Sequence, residues 1–440
     1  MSLRQDRASD GGTGLLRRGP FRTLLAGQAV SSLGDWVGTL AFVAAAYDLT
    51  GSPAAVGGVL VIRLLPPLLA APLGGVLADR FDRRRLMVVT NLVMAALISL
   101  APFAGLALLY AIAFTSEVLA MLFLPARDSA VPDLVPPASL PSANGLVMAT
   151  SYGAIPIAAA LFSGLRMLTP LPEHPLAIPF LFDAATFVVA AVVIARIPIP
   201  RGRARPDLPV MEGLGEALSF ARRSPEVRGL AVGMGVSMLG GGVMFAVGIA
   251  YVRETLGGGD VEFGYLVALW GVGMAAGLGA LRVLVRRGEV AAFRAAVAAC
   301  GGVLILMGLA PFTWLAFAAA VVFGLAFAVA VMLAMTLVQR LDEDLRGRLV
   351  GAAHMLFRVA LAVGALGIGG LASGIEAVEL GGLRLDGNQV GLALGGVLIL
   401  LGATAAGPVT SRADPPAPGP ASPRRRTRDR RRPGARWPAA

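Results

Sequence analysis

Residues 75–85, GVLADRFDRRR, lie between two long apolar runs and combine four arginines with two aspartates. Gly75 permits two membrane helices to approach closely, and Asp79 is a fixed anion that can engage the positive N-terminus of a neighbouring helix. Basic residues hold a loop on the cytoplasmic side of a membrane. The basic residues of this loop are Arg80, Arg83, Arg84 and Arg85. The stretch therefore predicts a short cytoplasmic loop that joins two membrane-spanning helices.

The composition of the whole chain is that of a membrane protein. Of the 440 residues, 56% are hydrophobic and 15% are charged, and the mean hydropathy is +0.74. A soluble chain of this length carries about 25% charged residues. Water is therefore not the main solvent of this chain.

Twelve apolar stretches predict twelve membrane-spanning helices, because each is long enough to cross a hydrocarbon core about 30 Å thick. The short alternating segments of a membrane β-barrel are absent from the sequence. We therefore expect an all-α integral membrane protein. The predicted spans are 22–47, 54–78, 86–104, 106–125, 140–164, 176–196, 228–251, 262–285, 291–310, 312–338, 348–374 and 390–410.

The distribution of arginine predicts the orientation in the membrane. All 38 basic residues are arginine, and only Arg166, Arg253 and Arg384 fall in loops on the side opposite to residues 75–85. This asymmetry places both termini in the cytoplasm of a multi-pass protein of the cell membrane. Residues 1–20 are then a cytoplasmic lead. Residues 412–440, rich in proline and arginine, form a disordered cytoplasmic tail that contacts anionic lipid headgroups.

An internal repeat indicates two related halves. Residues 30–37, VSSLGDWV, match residues 236–243, VSMLGGGV, at five of eight positions. Six predicted spans separate the two copies, and an even number of spans keeps them parallel. We expect six-helix halves at 21–196 and 228–411, joined by a cytoplasmic linker at 197–227. Parallel repeats with a substrate path at their interface are typical of transporters.

The loop at residues 75–85 resembles the G-x-x-x-D-R-x-G-R-R signature of the major facilitator superfamily. Asp82 stands where that family usually has its second glycine. We therefore expect the turn to be built differently, with Asp82 paired to a neighbouring arginine. Residues 32–36, 123–129, 131–136, 143–145, 182–187 and 346–348 extend the resemblance to the branch that contains macrolide-efflux proteins and the enterobactin exporter.

This resemblance implies a fold and an activity. The implied fold has twelve helices in two pseudo-symmetric halves, with spans 1, 4, 7 and 10 lining a central cavity. The implied activity is proton-driven export of small amphiphilic molecules. A conformational-switch loop is expected from Gly75, Asp79, Arg80, Arg83, Arg84 and Arg127.

Three charged residues fall inside predicted spans of the N-terminal half. Counting along the helices places Asp35, Arg63 and Glu117 near one depth. A charge at that depth costs at least about 2.5–3.5 kcal/mol, so each must be paired, hydrated or useful. Two carboxylates beside one cation leave a surplus carboxylate, the kind of group that can carry a proton. The alternatives are a static triad that fixes helix packing and, for Asp35, a cap on a helix break at Gly34.

Further polar and aromatic residues of the spans have weaker assignments. Arg358 and His354 lie one turn apart in span 11, as candidates for a counter-ion or an anchor for an anionic substrate group, or for purely structural bonds. Asp183 belongs to span 6, a peripheral helix in this fold, and is assigned a structural role. Aromatic residues that can line an amphiphile-accepting cavity are Trp36, Phe42, Phe114, Phe123, Phe245 and Trp270.

The sequence also narrows the class of function. It contains no lysine, which excludes a Schiff-base lysine and a phosphate-loop lysine. It contains only one cysteine and two histidines, so we do not expect an enzyme, a metal site or another cofactor. Nucleic acid is not expected as a partner, because the arginines fall between apolar runs. The expected partners are a small-molecule substrate, protons and membrane lipid. The alternatives are an importer of a small metabolite and a non-transporting receptor or scaffold on the same fold.

Overall fold

The protein is a bundle of long helices. The computed structural model describes residues 19–64, 66, 82–136, 139–168, 173–198, 225–284, 288–339, 346–380 and 382–412. The helices are α1 Gly19–Thr50, α2 Pro53–Leu64, α3 Arg83–Ile98, α4 Leu106–Leu134, α5 Leu140–Gly153, α6 Ile155–Met167, α7 Ala177–Ala195, α8 Pro225–Ala250, α9 Asp260–Leu284, α10 Glu289–Leu309, α11 Thr313–Gln339, α12 Arg346–Ser373 and α13 Gly387–Arg412.

The predicted all-helical membrane architecture is confirmed. Ten helices within the described residues are long and apolar enough to cross a membrane. Of the other two predicted spans, the second is described only as α2, and the fifth consists of α5 and α6. The break between α5 and α6 precedes Pro156, which lacks the backbone N–H that a continuous helix needs.

The packing of the last helix of each half follows the same pattern. In the N-terminal half α7 packs against α1 and α3, and in the C-terminal half α13 packs against α8 and α10. The halves meet where α6 packs against α9 and where α2 approaches α12. Glycine allows the tightest of these contacts. A Cβ atom on Gly242 of α8 would lie 2.1 Å from the backbone oxygen of Leu361 in α12.

The two ends of the bundle differ. We name the end at which α1 begins and α13 ends the terminal side, and the opposite end the far side. A short hairpin, which the sequence analysis did not predict, joins α12 to α13 on the far side, with β1 Val378–Leu380 antiparallel to β2 Leu383–Leu385. The next helix begins with a reciprocal cap, because Asp386 and Gln389 each accept a hydrogen bond from the other's backbone N–H.

On the terminal side, the loop at residues 75–85 is described only from Asp82 onward. The Asp82 carboxylate accepts a hydrogen bond from the backbone N–H of Arg85 at 3.0 Å and so caps α3. An aspartate in place of the family's second glycine therefore has a local role as a helix N-cap. Gly75, Asp79 and Arg80 lie outside the described residues, as do residues 1–18, most of the linker at 197–227 and the tail from residue 413.

Candidate functional site

A cavity of about 530 Å³ lies between the two halves. The N-terminal half contributes residues of α1 to α5 and α7, and the C-terminal half contributes residues of α8, α9 and α11. The lining residues are Gln28, Ser31, Ser32, Asp35, Trp36, Thr39, Leu40, Val43, Leu60, Arg63, Asn91, Met94, Glu117, Ala120, Phe123, Leu124, Arg127, Ser151, Phe187, Gly241, Met244, Phe245, Phe263, Leu266, Val267, Trp270, Phe323 and Phe327.

The wall from the N-terminal half carries charge. Arg63 donates from Nε to Glu117 Oε1 at 2.7 Å and from Nη1 to the Thr39 hydroxyl at 2.8 Å. The Thr39 hydroxyl in turn donates to the backbone oxygen of Asp35 at 2.7 Å. The guanidinium of Arg63 also interacts electrostatically with the Asp35 carboxylate. The structure thus brings together the three intramembrane charges that the sequence singled out.

The wall from the C-terminal half is aromatic. The rings of Phe245 and Trp270 meet edge to face at 6.0 Å, Trp270 and Phe327 lie 6.0 Å apart, and Phe323 stacks near Phe327 at 6.1 Å. Trp270 also has a buried Nε1 with no hydrogen-bond partner among the described residues. Phe245 and Trp270 were expected in the cavity, whereas Phe263, Phe323 and Phe327 were not. The sequence of an apolar span does not indicate which face of the helix an aromatic residue occupies.

A second cavity of about 50 Å³ adjoins the charged wall and contains a residue that the sequence analysis treated as structural. Asp183 of α7 is 2% exposed and lines this cavity together with Asp35, Arg63 and Glu117. In the structure, the Asp183 carboxylate lies opposite two glycines of α1. Cβ atoms built on Gly34 and Gly38 would lie 2.8 and 2.0 Å from its two carboxylate oxygens.

An ion network on the far side joins the two halves. Asp260, whose side chain is 3% exposed, pairs with Arg253 of its own half and with Arg166 of the N-terminal half. The Arg166 Nε atom donates to Asp260 Oδ2 at 2.6 Å. Arg253 also pairs with Asp48 of α1. These four side chains therefore connect the ends of α1, α6 and α9 with the segment that follows α8.

A π-helical turn, Tyr251–Thr255, supports this connection. Arg253 and Glu254 are consecutive residues of that turn, and Glu254 accepts hydrogen bonds from Tyr47 of α1 and from Asn388 of α13. The guanidinium of Arg253 lies 5.3 Å from the centre of the Tyr47 ring. Single π-helical turns are frequent at functional sites. These contacts thus join the two halves at the far side of the bundle.

The remaining predicted site residues occupy different places. Arg83 is buried and pairs with Asp133 of α4 at 3.1 Å, whereas Arg84 is exposed. Arg127 lines the large cavity and pairs with the adjacent Asp128 at 2.7 Å. Arg358 is exposed, and the side chain of His354 lies outside the described part of the chain.

Two helical halves around a central cavity, with intramembrane charges along one wall, define a multi-pass membrane transport protein. Residues 24–365 match the family model of the Major Facilitator Superfamily. The chain therefore belongs to the major facilitator superfamily, which confirms the resemblance found in the sequence.

Curated relatives match parts of the chain. The uncharacterized MFS-type transporter YfiS of Bacillus subtilis (strain 168) is 29% identical over 210 residues, which cover 46% of this chain and 49% of YfiS. Macrolide efflux protein A of Streptococcus pyogenes is 28% identical over 198 residues, which cover 41% of this chain and 45% of that protein. The match thus spans about half the length of these curated relatives.

Solved structures resemble the whole bundle. A bacterial homolog of the human lysosomal transporter Spinster, in an inward-facing and unoccupied conformation, has a TM-score of 0.74 at 15% identity, covering 91% of this chain and 100% of its own. The nucleoside transporter NupG has a TM-score of 0.70 at 11% identity, covering 89% and 99%. At these identities, the likeness concerns the fold alone.

Proposed function

We propose that the protein exports amphiphilic small molecules across the cell membrane in exchange for protons, by alternating access. The observation that carries this proposal is the division of the cavity into a charged wall and an aromatic wall. Drug-sized ligands occupy pockets of about 300–1,000 Å³, so a cavity of about 530 Å³ suits such a molecule. The superfamily resemblance and the name of the macrolide-efflux relative support an efflux substrate.

The two walls favour different parts of an amphiphile. The apolar body packs against Phe245, Trp270 and Phe327, and a cationic group gains from both the aromatic faces and the nearby carboxylates. The indole N–H of Trp270, which has no partner among the described residues, donates a hydrogen bond to an acceptor on the substrate. Substrate binding then gives the buried indole N–H of Trp270 an acceptor. The loss of side-chain conformational entropy is small, because the indole is already packed between two rings.

The charged wall supplies the proton-coupling group. Arg63 forms a direct ion pair with Glu117, so the charge of Asp35 is compensated only in part. A proton and a cationic substrate then compete for the same surplus negative charge. Arg63 sets the balance between Asp35 and Glu117, because it interacts with both.

The excess of arginine on the terminal side supports a cytoplasmic location for that side. The contacts between the halves on the far side then close the cavity toward the outside. This state accepts substrate from the cytoplasm. Asp79, Arg80 and the other residues of the conformational-switch loop act at the cytoplasmic closure, where Arg83 already links α3 to α4.

Inside-out vesicles with an acidified lumen test the proposal, with ethidium as the probe. We expect the wild type to accumulate ethidium only while the pH gradient lasts. Asp35→Asn and Glu117→Gln should lose gradient-driven accumulation, and their ethidium binding should become weaker and less dependent on pH, because each removes a carboxylate for which the proton and the cation compete. Glu379→Gln is the matched control, because it removes an exposed acid of the far-side hairpin that lines neither cavity. Equal accumulation with and without the gradient in the wild type contradicts proton coupling.

The static-triad alternative predicts a different pattern. Each single neutralisation then strands a buried charge and lowers the amount of inserted protein, and joint neutralisation of Glu117 and Arg63 restores it. Under the proposed function, the double variant inserts but does not regain gradient-driven accumulation. Insertion measured beside accumulation for Arg63→Gln, Glu117→Gln and the double variant therefore separates the two.

A further inference from the structure

The chemistry around Asp183 differs from that of a packing residue. The side chain is 2% exposed, and its Oδ1 atom has no hydrogen-bond partner among the described residues. Both carboxylate oxygens lie against the backbone of α1 at Gly34 and Gly38, where side chains are absent. An ionised carboxylate withdrawn from water without hydrogen bonds or a cation of its own is strongly unfavourable. Asp183 therefore needs either a counter-charge or a proton.

The lining of the small cavity contains one cation and three carboxylates. The charged groups that face Asp183 are Asp35 from α1, Arg63 from α2 and Glu117 from α4, all around the small cavity. Helix α3, which also packs against α7, carries its arginines at its terminal-side end. Arg63 already binds Glu117 directly and balances a single negative charge. Two of the three carboxylates therefore have no compensating cation in this lining, and a bound proton can neutralise them.

The small cavity connects Asp183 with the proposed coupling residues. Its volume of about 50 Å³ exceeds the roughly 10–15 Å³ that a water molecule requires. Its polar edge includes Thr39 and Ser116, and the Ser116 hydroxyl also lacks a hydrogen-bond partner among the described residues. Asp35, Arg63 and Glu117 line both cavities, so water in the small one lies directly behind the substrate site.

A proton fits this site better than a metal ion. Within the described residues, no group of three histidine, cysteine, aspartate or glutamate side chains is arranged to hold a metal. Resting on the proposed proton coupling, we infer that Asp183 is a proton-binding residue of the transport cycle, which exchanges its proton with Asp35 and Glu117 through the small cavity. The proton leaves the Asp183 carboxyl group and binds the carboxylate of Asp35 or Glu117, so no further reactant is needed.

Infrared difference spectra of purified protein in lipid, recorded between mildly acidic and alkaline buffer so that exposed carboxylates stay ionised throughout, test this inference without any substrate. The wild type is expected to show a protonated-carboxyl band that loses the contribution of one group in Asp183→Asn and is unchanged in Glu379→Gln, which removes an exposed acid of the far-side hairpin. A structural role for Asp183 predicts the same band in all three proteins. An unchanged band in Asp183→Asn overturns the inference.

Transport supplies the second measurement. In vesicles, Asp183→Asn should keep ethidium exchange without a gradient within about two-fold of the wild type, which corresponds to less than about 0.5 kcal/mol, and should lose most of the acceleration by a pH gradient. If the wild type itself shows no acceleration, the proposed function fails, while the infrared band still decides whether Asp183 binds a proton.

Insertion of the variant is checked first, because Asp183 is buried. Asp183→Ser provides a smaller neutral side chain if the asparagine variant does not insert. If neither inserts, Asp183→Glu keeps a carboxyl group at a different depth, and the pH midpoint of the infrared band is expected to shift. An unchanged midpoint in Asp183→Glu overturns the inference.

Discussion

Replacing Asp260 by asparagine tests whether the far-side network holds the two halves together. Asp260 is the centre of that network, since its buried carboxylate pairs with Arg166 of one half and Arg253 of the other. Asparagine has nearly the same shape but no charge, and it offers one acceptor oxygen where aspartate offers two. The change therefore weakens a contact between halves without creating a cavity.

The size of the effect follows from the one ion pair of Asp260 that joins the two halves. A hydrogen bond to a charged group contributes about 1.5–3 kcal/mol and a neutral one about 0.5–1.5 kcal/mol. Both arginine side chains are at most 21% exposed, so solvent screening is modest. Of the ion pairs that Asp260 forms in the described part of the chain, only that with Arg166 joins the two halves, so its weakening by about 1–1.5 kcal/mol shifts the equilibrium toward far-side opening by about 5- to 13-fold.

Thiol accessibility measures this shift. The chain has a single, buried cysteine, so Cys300→Ala provides a background for Val43→Cys, a reporter buried in the cavity lining. A membrane-impermeant maleimide applied from the far side should label Val43→Cys faster in Asp260→Asn. Glu379→Gln is the matched control, because Glu379 is an exposed acid of the far-side hairpin. Equal labelling rates in both variants, at equal inserted protein, refute the reasoning.

Three further predictions concern packing and recognition. Asp82→Ala should lower the stability of solubilised protein to heat by about 0.5–2 kcal/mol because α3 loses its N-cap, whereas Asp82→Asn keeps the cap and the stability. Gly242→Ala should cost about 1–3 kcal/mol by the same assay, since its Cβ meets the backbone of α12, and Gly241→Ala, which meets open space, should not. Trp270→Phe should weaken binding of rhodamine 6G, which carries an ester carbonyl, by about two- to ten-fold. It should weaken ethidium binding less, because ethidium loses only part of its contact with the aromatic ring; equal losses for both dyes count against a hydrogen bond from the indole.

The helices were predictable because the membrane imposes a strong and simple rule. A membrane span must be apolar and must form its backbone hydrogen bonds within its own helix, so length and hydropathy are enough to locate it. Helix ends were less predictable. Span 4 was expected to end at residue 125, yet α4 continues through Pro125 and Pro132 to Leu134. Neighbouring helices can compensate for the backbone bonds that proline removes, and sequence does not reveal where they do so.

The candidate site was predictable only in its charges. Asp35, Arg63 and Glu117 stand out in the sequence because a charge inside a span needs a reason. Asp183 was equally visible, but its assignment rested on the peripheral position of its helix. The contact that changes this assignment is made by Gly34 and Gly38, whose missing side chains admit the carboxylate between α7 and α1. Such a contact depends on how two helices face each other, which no local pattern contains.

The internal repeat explains why the two walls of the cavity differ. Aligning residues 30–37 with 236–243 makes Asp35 equivalent to Gly241, and both residues line the large cavity. Continuing the alignment brings Arg63 close to the position of Trp270, and these two residues also line it. Equivalent positions therefore carry charge in one half and a small or aromatic side chain in the other. The C-terminal half forms the same helical arrangement without those charges, so the fold does not require them. The charges of the N-terminal half are therefore better explained by function than by folding.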